Sequence, residues 1–272
     1  MWGCVSMPHI FLIMRELKMK MLEIHNVGVE FGGLVAVDDF SMDVEKGTIH
    51  ALIGPNGAGK TTLFNSITRI GPRTRGKIVF KGKDITRLPD HKMIHRGISR
   101  TFQNLQLFNH MTVYENLYAG YSFHFNKPFA SIFFGSHKQF EETVEERIVA
   151  VAEKVGLTAA LFNIPRNLSY GMQKRVEIAR AIISEPELLL LDEPAAGLTH
   201  QETEELDRVL AELSKENGMS ILLVEHDMDI VMKISDRISV MSFGKKIAEG
   251  TPEEIANNPE VIRVYLGEES SA

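Results

Sequence analysis

One glycine-rich stretch combines residue types that can bind phosphate. It lies between an apolar run at 49–53 and a helical pattern, and it consists of Gly54, Pro55, Asn56, Gly57, Ala58, Gly59, Lys60, Thr61 and Thr62. Glycines let backbone N–H groups approach phosphate oxygens, and a helix N-terminus adds partial positive charge. In such a loop Lys60 reaches the β- and γ-phosphates of a nucleotide, and the Thr61 hydroxyl coordinates Mg²⁺. The stretch predicts a phosphate loop between a strand and a helix.

Two further apolar runs end in side chains that could act on a bound nucleotide. Residues 188–191 precede Asp192 and Glu193, and residues 221–224 precede a segment that contains His226. Uninterrupted apolar runs are typical of buried parallel strands, whose carboxyl ends carry ligand sites. There Asp192 would hold Mg²⁺, and Glu193 would polarise the water that attacks the γ-phosphate. His226 could donate a hydrogen bond to the γ-phosphate; the alternative is a structural histidine.

Three other positions could contact the same ligand. Gln103, between a strand region and a helical region, can coordinate Mg²⁺ or the attacking water. Ser169 precedes a strong helical pattern as an N-cap, so its hydroxyl and the first N–H groups predict a second anion site. Phe31, with Val37 nearby, is placed to offer its ring to a nucleotide base. A core aromatic is the alternative for Phe31.

The elements that must position these residues are visible as hydrophobic patterns. Near-alternation at 22–29 and 40–44 predicts an antiparallel sheet that leads into the phosphate loop. Residues 105–165 predict a separate helical lobe with an aromatic segment at 118–140, which is either a docking surface for a membrane partner or the lobe's own packing. Thr251 opens a predicted capping box near the C-terminus.

Composition narrows the class of protein. With 272 residues, 44% of them hydrophobic, the chain can build one or two domains with a sizeable core. A formal net charge of -6 argues against a protein that coats nucleic acid, so we predict no nucleic-acid partner. Cys4 is the only cysteine, so no intramolecular disulfide can form, which suits a reducing compartment.

The first twenty residues are expected to lie outside the fold. Their apolar run at 10–14 is far shorter than the roughly 20 residues that span a bilayer. Positive charges follow the run, whereas a secretory signal places them before it. We expect an extension ahead of a domain that begins near Met21, with a membrane-surface anchor as the alternative.

Taken together, five motifs resemble an ABC ATPase cassette in order and spacing. They are the loop at 54–62, Gln103, the signature at 168–173, the strand with its acids at 188–193, and His226. The resemblance covers about residues 21–267. More narrowly, the chain resembles the ATP-binding subunit of a branched-chain amino-acid importer, in the aromatic segment and in segments 100–108, 168–171, 194–198, 225–228 and 257–267.

The resemblance implies a P-loop α/β fold with a RecA-like parallel-sheet core, an antiparallel β subdomain and a helical subdomain at about 105–185, with 268–272 as a tail. It implies ATP and Mg²⁺ as cofactors. The implied catalytic residues are Glu193, His226, Gln103 and Lys60. The implied Mg²⁺ residues are Thr61, Gln103 and Asp192. ATP would be bound by residues 54–62 with Phe31 and Val37.

The resemblance also implies partners. Cassettes of this family pair head to tail, so that the signature contacts the ATP held by a second cassette, identical or related. The signature residues concerned are Ser169, Tyr170, Gly171 and Met172. Further partners would be two membrane permease subunits and, indirectly, a solute-binding protein, which would place the chain peripherally on the cytoplasmic face of the cell membrane.

The implied function is ATP hydrolysis that energises branched-chain amino-acid import. Other solutes such as urea or short-chain amides, a soluble ABC-type ATPase acting on DNA or ribosomes, and a scaffold without turnover are the alternatives. Three residues depart from the general pattern. Tyr170 stands where most cassettes have glycine, Met172 where they have glutamine, and Thr199 where they have aspartate. The contact that this aspartate makes across the interface is therefore left open.

Overall fold

The computed structural model describes residues 19–71, 74–121 and 137–269. Its strands are β1 (Lys20–Phe31), β2 (Leu34–Glu45), β3 (Ile49–Ile53), β4 (Thr74–Phe80), β5 (Lys83–Asp84), β6 (Ile98–Arg100), β7 (Leu188–Asp192), β8 (Ser220–Val224), β9 (Arg237–Ser242) and β10 (Lys245–Gly250). Its α-helices are α1 (Lys60–Thr68), α2 (Val113–Tyr121), α3 (His137–Lys154), α4 (Tyr170–Ile182), α5 (His200–Lys215), α6 (Met228–Ile234), α7 (Pro252–Ala256) and α8 (Pro259–Glu269). Within these ranges, no helix has the length and apolar character needed to cross a membrane.

A six-stranded sheet with the order β10-β9-β3-β8-β7-β6 carries the predicted site. All neighbours from β9 to β6 are parallel, and β10 pairs with β9 antiparallel. Every residue of β3, β7 and β8 is buried, as expected for strands covered on both faces. Because β7, β8 and β3 are adjacent and parallel, the segments that follow them leave the sheet at one edge.

A four-stranded antiparallel sheet with the order β2-β1-β4-β5 packs beside α1 and shares a core with it. The predicted antiparallel pairing of β1 with β2 is confirmed. This sheet begins slightly earlier than the expected boundary at Met21. Met19 accepts a hydrogen bond from Lys46 N–H at 2.9 Å, and Lys20 forms an ion pair with Asp43 at 2.7 Å. These contacts tie Met19 and the first residue of β1, Lys20, to the end of β2.

Helices α2, α3 and α4 form the predicted helical lobe and pack with α5 against the other face of the parallel sheet. The predicted fold class is therefore confirmed: a parallel-sheet core, an antiparallel β subdomain and a helical subdomain. Tyr118 and Tyr121 of the aromatic segment lie on α2. The predictions for the phenylalanine side chains at 123–140 lie outside the described residues.

The C-terminal part forms a third small core from β9, β10 and helices α6 to α8. The capping box predicted at Thr251 is present, with Glu254 as its acidic member. Helix α8 continues to Glu269, two residues beyond the expected end of the fold.

Candidate functional site

The glycine-rich loop joins β3 to α1 and packs directly on two other strands. A Cβ atom at Gly54 would lie 2.0 Å from the Met241 carbonyl oxygen, and one at Gly59 would lie 2.3 Å from the Ala36 carbonyl oxygen. Both glycines have positive φ angles, of 151° and 105°. Gly59 is also the N-cap of α1 and offers no side-chain cap. The N–H groups at the start of α1 therefore have no side-chain acceptor from this cap, which suits an anionic ligand.

Lys60 is held against the loop that precedes it. Its Nζ donates hydrogen bonds to the carbonyl oxygens of Gly54 at 2.5 Å and Pro55 at 2.9 Å, and the residue is only 6% exposed. The neighbouring Thr61, in the first turn of α1, is exposed together with Asn56. The Lys60 ammonium group thus lies against the loop that is predicted to bind phosphate.

Asp192 ends β7 as a buried carboxylate with one unused oxygen. Its Oδ2 accepts a hydrogen bond from Arg100 Nη2 at 2.9 Å, while its Oδ1 is buried without a partner among the described residues. Burial raises the pKa of Asp192, and the Arg100 guanidinium opposes that shift. An unpartnered carboxylate oxygen at the end of β7 fits Mg²⁺ or a water molecule bound to it.

Glu193 and Gln103 are 90 residues apart in sequence and meet in the structure. Gln103 Nε2 donates a hydrogen bond to Glu193 Oε2 at 2.9 Å. The Glu193 backbone N–H is itself bonded to the Val224 carbonyl at 2.9 Å, which ties the end of β7 to the end of β8. Glu193 has a positive φ of 50°, which is uncommon for a residue with a side chain. A side-chain hydrogen bond thus joins the loop glutamine to the predicted general base, whose backbone is tied to the end of β8.

His226 follows β8 at the same edge and is 59% exposed on its side chain. Its neighbour Glu225 is fully buried. Glu225 Oε1 accepts the Ala195 N–H at 2.9 Å, and Oε2 accepts the His226 N–H at 3.2 Å. Burial raises the pKa of Glu225. Glu225 therefore links the loop after β7 to the loop after β8. This role was not predicted from the sequence, although an acidic residue directly after an apolar strand was a signal for it.

The predicted N-cap at Ser169 is confirmed. Its hydroxyl oxygen accepts the Met172 N–H at 3.3 Å at the start of α4. The Ser169 hydroxyl and the Gly171 N–H also donate to one oxygen, Oε1 of Glu202 on α5, at 3.0 and 3.2 Å. The Tyr170 ring lies 3.2 Å from where a Cβ on Gly197 would be. The signature thus contacts the loop and helix that follow β7.

Thr199 is the N-cap of α5 and forms a capping box with Glu202. Sequence reasoning left the role of Thr199 open and missed Glu202. The pattern Thr-x-x-Glu at 199–202 was the signal that could have found both.

The two residues predicted to contact the base differ in exposure. Phe31 ends β1 and is 47% exposed, so its ring is accessible. Val37 is fully buried in the core beneath the antiparallel sheet. The carbonyl oxygen of its neighbour Ala36 lies against Gly59 of the glycine-rich loop. The contact of Val37 with a base stays a prediction.

A groove of about 790 Å³ lies between the parallel-sheet core and helices α2 and α4. Phe102, adjacent to Gln103, lines it together with Phe108, and both rings are exposed. The guanidinium of Arg180 lies 5.3 Å from the centre of the Phe108 ring. Glu177 is buried at the groove wall and accepts the Phe102 N–H at 3.3 Å, and burial raises the pKa of Glu177. The groove therefore reaches the backbone next to Gln103.

Comparison with family models gives two matches on this chain. The model described as ABC transporter matches residues 37–196. The model described as branched-chain amino acid ATP-binding cassette transporter matches residues 245–271.

Curated proteins and solved structures that resemble the chain cover nearly all of it. The high-affinity branched-chain amino acid transport ATP-binding protein BraF of Pseudomonas aeruginosa is 43% identical over 249 residues, which are 91% of this chain and 98% of the relative. LivG of Escherichia coli, with the same description, is 43% identical over 253 residues, with the same coverage. A nucleotide-free ATP-binding cassette from an ABC transporter superposes with a TM-score of 0.79 at 36% identity, over 91% of this chain and 99% of that structure.

Proposed function

Since the chain belongs to the ABC transporter family as one of its ATP-hydrolysing subunits, we propose that it energises the import of branched-chain amino acids through a separate membrane permease. The substrate class is supported by relatives of nearly the same length that carry this description in two bacteria. The match of the C-terminal residues 245–271 to the branched-chain family model supports it independently.

The hydrogen bond between Gln103 and Glu193 is the observation that carries the proposed catalytic role. Glu193 takes a proton from water as the water oxygen attacks the γ-phosphorus and the bond to the β,γ-bridging oxygen breaks. Gln103 orients the Glu193 carboxylate and the attacking water. Lys60 binds the β- and γ-phosphates, and His226 donates a hydrogen bond to the γ-phosphate. A positioned general base contributes roughly 10²–10⁴-fold to rate.

Mg²⁺ fits this site because Asp192 offers a buried oxygen without a partner among the described residues. The Thr61 hydroxyl, Asp192 and the Gln103 side chain would hold the ion, which neutralises phosphate charge when bound. The exposed ring of Phe31 would stack on the adenine.

The proposed partners follow from two surfaces. Ser169 and Gly171, with Tyr170 and Met172 beside them, would contact the γ-phosphate bound by a second cassette, identical or related. The groove that contains Phe102 would receive a segment of a permease subunit, so that its occupant could move Gln103. Two permease subunits would hold a cassette pair on the cytoplasmic face of the membrane, and a solute-binding protein would act through them.

Uptake in cells tests the substrate class. Cells that lack the gene should lose uptake of labelled leucine and keep uptake of labelled urea, and the parent gene but not a Glu193→Gln variant should restore leucine uptake. Loss of urea uptake instead would retain the mechanism and replace the substrate. No change in either solute would refute the importer assignment and favour a soluble ATPase.

Pairing is tested with the purified protein. Glu193→Gln should bind ATP, fail to hydrolyse it and form a dimer with ATP and Mg²⁺ in sedimentation velocity. Adding Ser169→Arg should prevent that dimer while each monomer still binds ATP. Undiminished hydrolysis by the single Ser169→Arg variant would contradict the head-to-tail arrangement.

A further inference from the structure

Glu202 uses its two carboxylate oxygens for two different purposes. Oε2 closes the capping box of α5, accepting the Thr199 N–H at 3.1 Å and the Thr199 hydroxyl at 3.0 Å. Oε1 accepts the Ser169 hydroxyl and the Gly171 N–H at the start of α4. A Cβ on Gly171 would lie 2.5 Å from this oxygen, so the carboxylate sits directly against the signature. Capping α5 does not require the second set of contacts.

The capping box of α7 provides an internal comparison. Its acid, Glu254, accepts the Thr251 N–H at 2.8 Å, while the Thr251 hydroxyl accepts the Glu254 N–H at 3.3 Å. Among the described hydrogen bonds of Glu254, none reaches a second helix. The contact with another helix start therefore distinguishes Glu202 from an ordinary cap acid in the same chain.

The Glu202 side chain that accepts hydrogen bonds from the signature is negatively charged. Hydrogen bonds from the Thr199 N–H and the Ser169 hydroxyl lower the pKa of Glu202, so it is a carboxylate at neutral pH. Its Oε1 satisfies two donors, a hydroxyl and a backbone N–H at a helix N-terminus, that also suit a phosphate oxygen. Two anions cannot use these donors at once without strong repulsion.

We propose that Glu202 is a further residue of the ATP site between cassettes, and that its carboxylate occupies the signature donors of the unpaired chain in place of the partner's γ-phosphate. This inference rests on the proposed head-to-tail pairing. Pairing then requires Glu202 to leave Ser169 and Gly171, and each pair contains two such sites. Glu202 thus raises the ATP concentration needed for pairing and favours separation once the γ-phosphate is released.

Titration of pairing with ATP tests this role. In the Glu193→Gln background, which prevents turnover, sedimentation velocity would give the ATP concentration at which half of the protein is dimeric. Glutamine can still close a capping box but carries no charge, so Glu202→Gln should lower that concentration roughly three- to tenfold. Glu254→Gln makes the same chemical change at α7 and should leave the concentration unchanged.

A second variant at the same position tests whether the effect of Glu202→Gln comes from a local folding defect. Glu202→Asp keeps the charge but shortens the side chain by one methylene, so it should also release the signature and lower the ATP requirement. Equal or higher ATP requirements in both Glu202 variants would overturn the inference while leaving pairing intact. If no variant pairs although each binds ATP, the head-to-tail proposal fails and this inference fails with it.

Discussion

At the scale of single residues, Arg100 joins separate parts of the nucleotide site. Its guanidinium donates to Asn65 at 2.7 Å and Thr68 at 3.1 Å on α1, and to Asp192 at 2.9 Å on β7. It also lies 5.1 Å from the centre of the Phe102 ring, next to Gln103. The Arg100 side chain is 7% exposed, so water cannot replace its hydrogen bonds if the guanidinium is removed. Arg100 was not among the residues predicted from the sequence.

Replacing this buried cation should be costly. Arg100→Met leaves the Asp192 carboxylate buried and without its partner, so we expect the free energy of unfolding to fall by about 3 kcal/mol in urea denaturation. Arg75→Met is the matched control because Arg75 also pairs with an acid, Glu30 at 3.0 Å, but is 63% exposed. Its cost should stay within about 1 kcal/mol. Equal costs at the two positions would contradict the role assigned to Arg100.

At the scale of elements, the phosphate loop depends on neighbours that are distant in sequence. The loop is clamped between the Ala36 carbonyl of β2 and the Met241 carbonyl of β9. Ala58 reinforces this contact through its carbonyl oxygen, which accepts the Gly244 N–H at 2.8 Å. The antiparallel sheet and the β9–β10 hairpin therefore shape the loop as much as its own glycines do.

Two alanine substitutions distinguish the steric effect of the Ala36 carbonyl on the loop from the strain that alanine incurs at a positive φ angle. Gly59→Ala places a Cβ 2.3 Å from the Ala36 carbonyl oxygen, whereas a Cβ at Gly57 meets nothing within 4 Å. Both positions have positive φ, so each variant carries roughly 1–2 kcal/mol of strain. We expect Gly59→Ala to lose at least about 2 kcal/mol more unfolding free energy than Gly57→Ala. Similar urea unfolding curves for the two variants would rule out a tight clamp.

At the scale of the whole molecule, a buried histidine links stability to pH. His50 lies in the central strand β3, is 1% exposed and contacts the Ser239 hydroxyl of β9 at 2.9 Å. Burial lowers its pKa from 6.5 to about 4. Below pH 6.5 the unfolded chain binds a proton that the folded chain excludes, so stability falls as pH decreases from about 6.5 to 4.

This effect can be isolated by a neutral replacement. Over that interval His50 should remove about 3 kcal/mol of unfolding free energy, at up to roughly 1.4 kcal/mol per pH unit. His50→Gln can keep a hydrogen bond to Ser239 and does not titrate, so its stability should decline less between pH 6.5 and 4.5. Urea denaturation of both proteins at matched pH cancels the contributions of the carboxylates. If the free energy of unfolding of the parent and of His50→Gln changed equally with pH, the folded chain would not lower the pKa of His50.

The family resemblance inferred from five short motifs is confirmed at the scale of the chain by the family model and the nearly full-length relatives. The longer strands, the caps at Ser169 and Thr251 and the helical lobe were predictable because local patterns specify them, whereas the short strands β5 and β6 were not predicted. Hydrophobic periodicity and capping depend on neighbours within a few residues. The expected boundary near Met21 stays a prediction. The contacts of Met19 and Lys20 just ahead of it depend on residues that are distant in sequence, which local patterns do not specify.

By itself, the sequence determined the phosphate loop, the acidic end of β7 and the serine that opens α4. Only the tertiary structure decided which side chains meet. Gln103 reaches Glu193 across 90 residues, Arg100 reaches Asp192 across 92, and Ser169 reaches Glu202 across 33. The physical reason is that strand order, register and helix packing set such contacts, and composition and motif spacing along the chain do not specify any of the three.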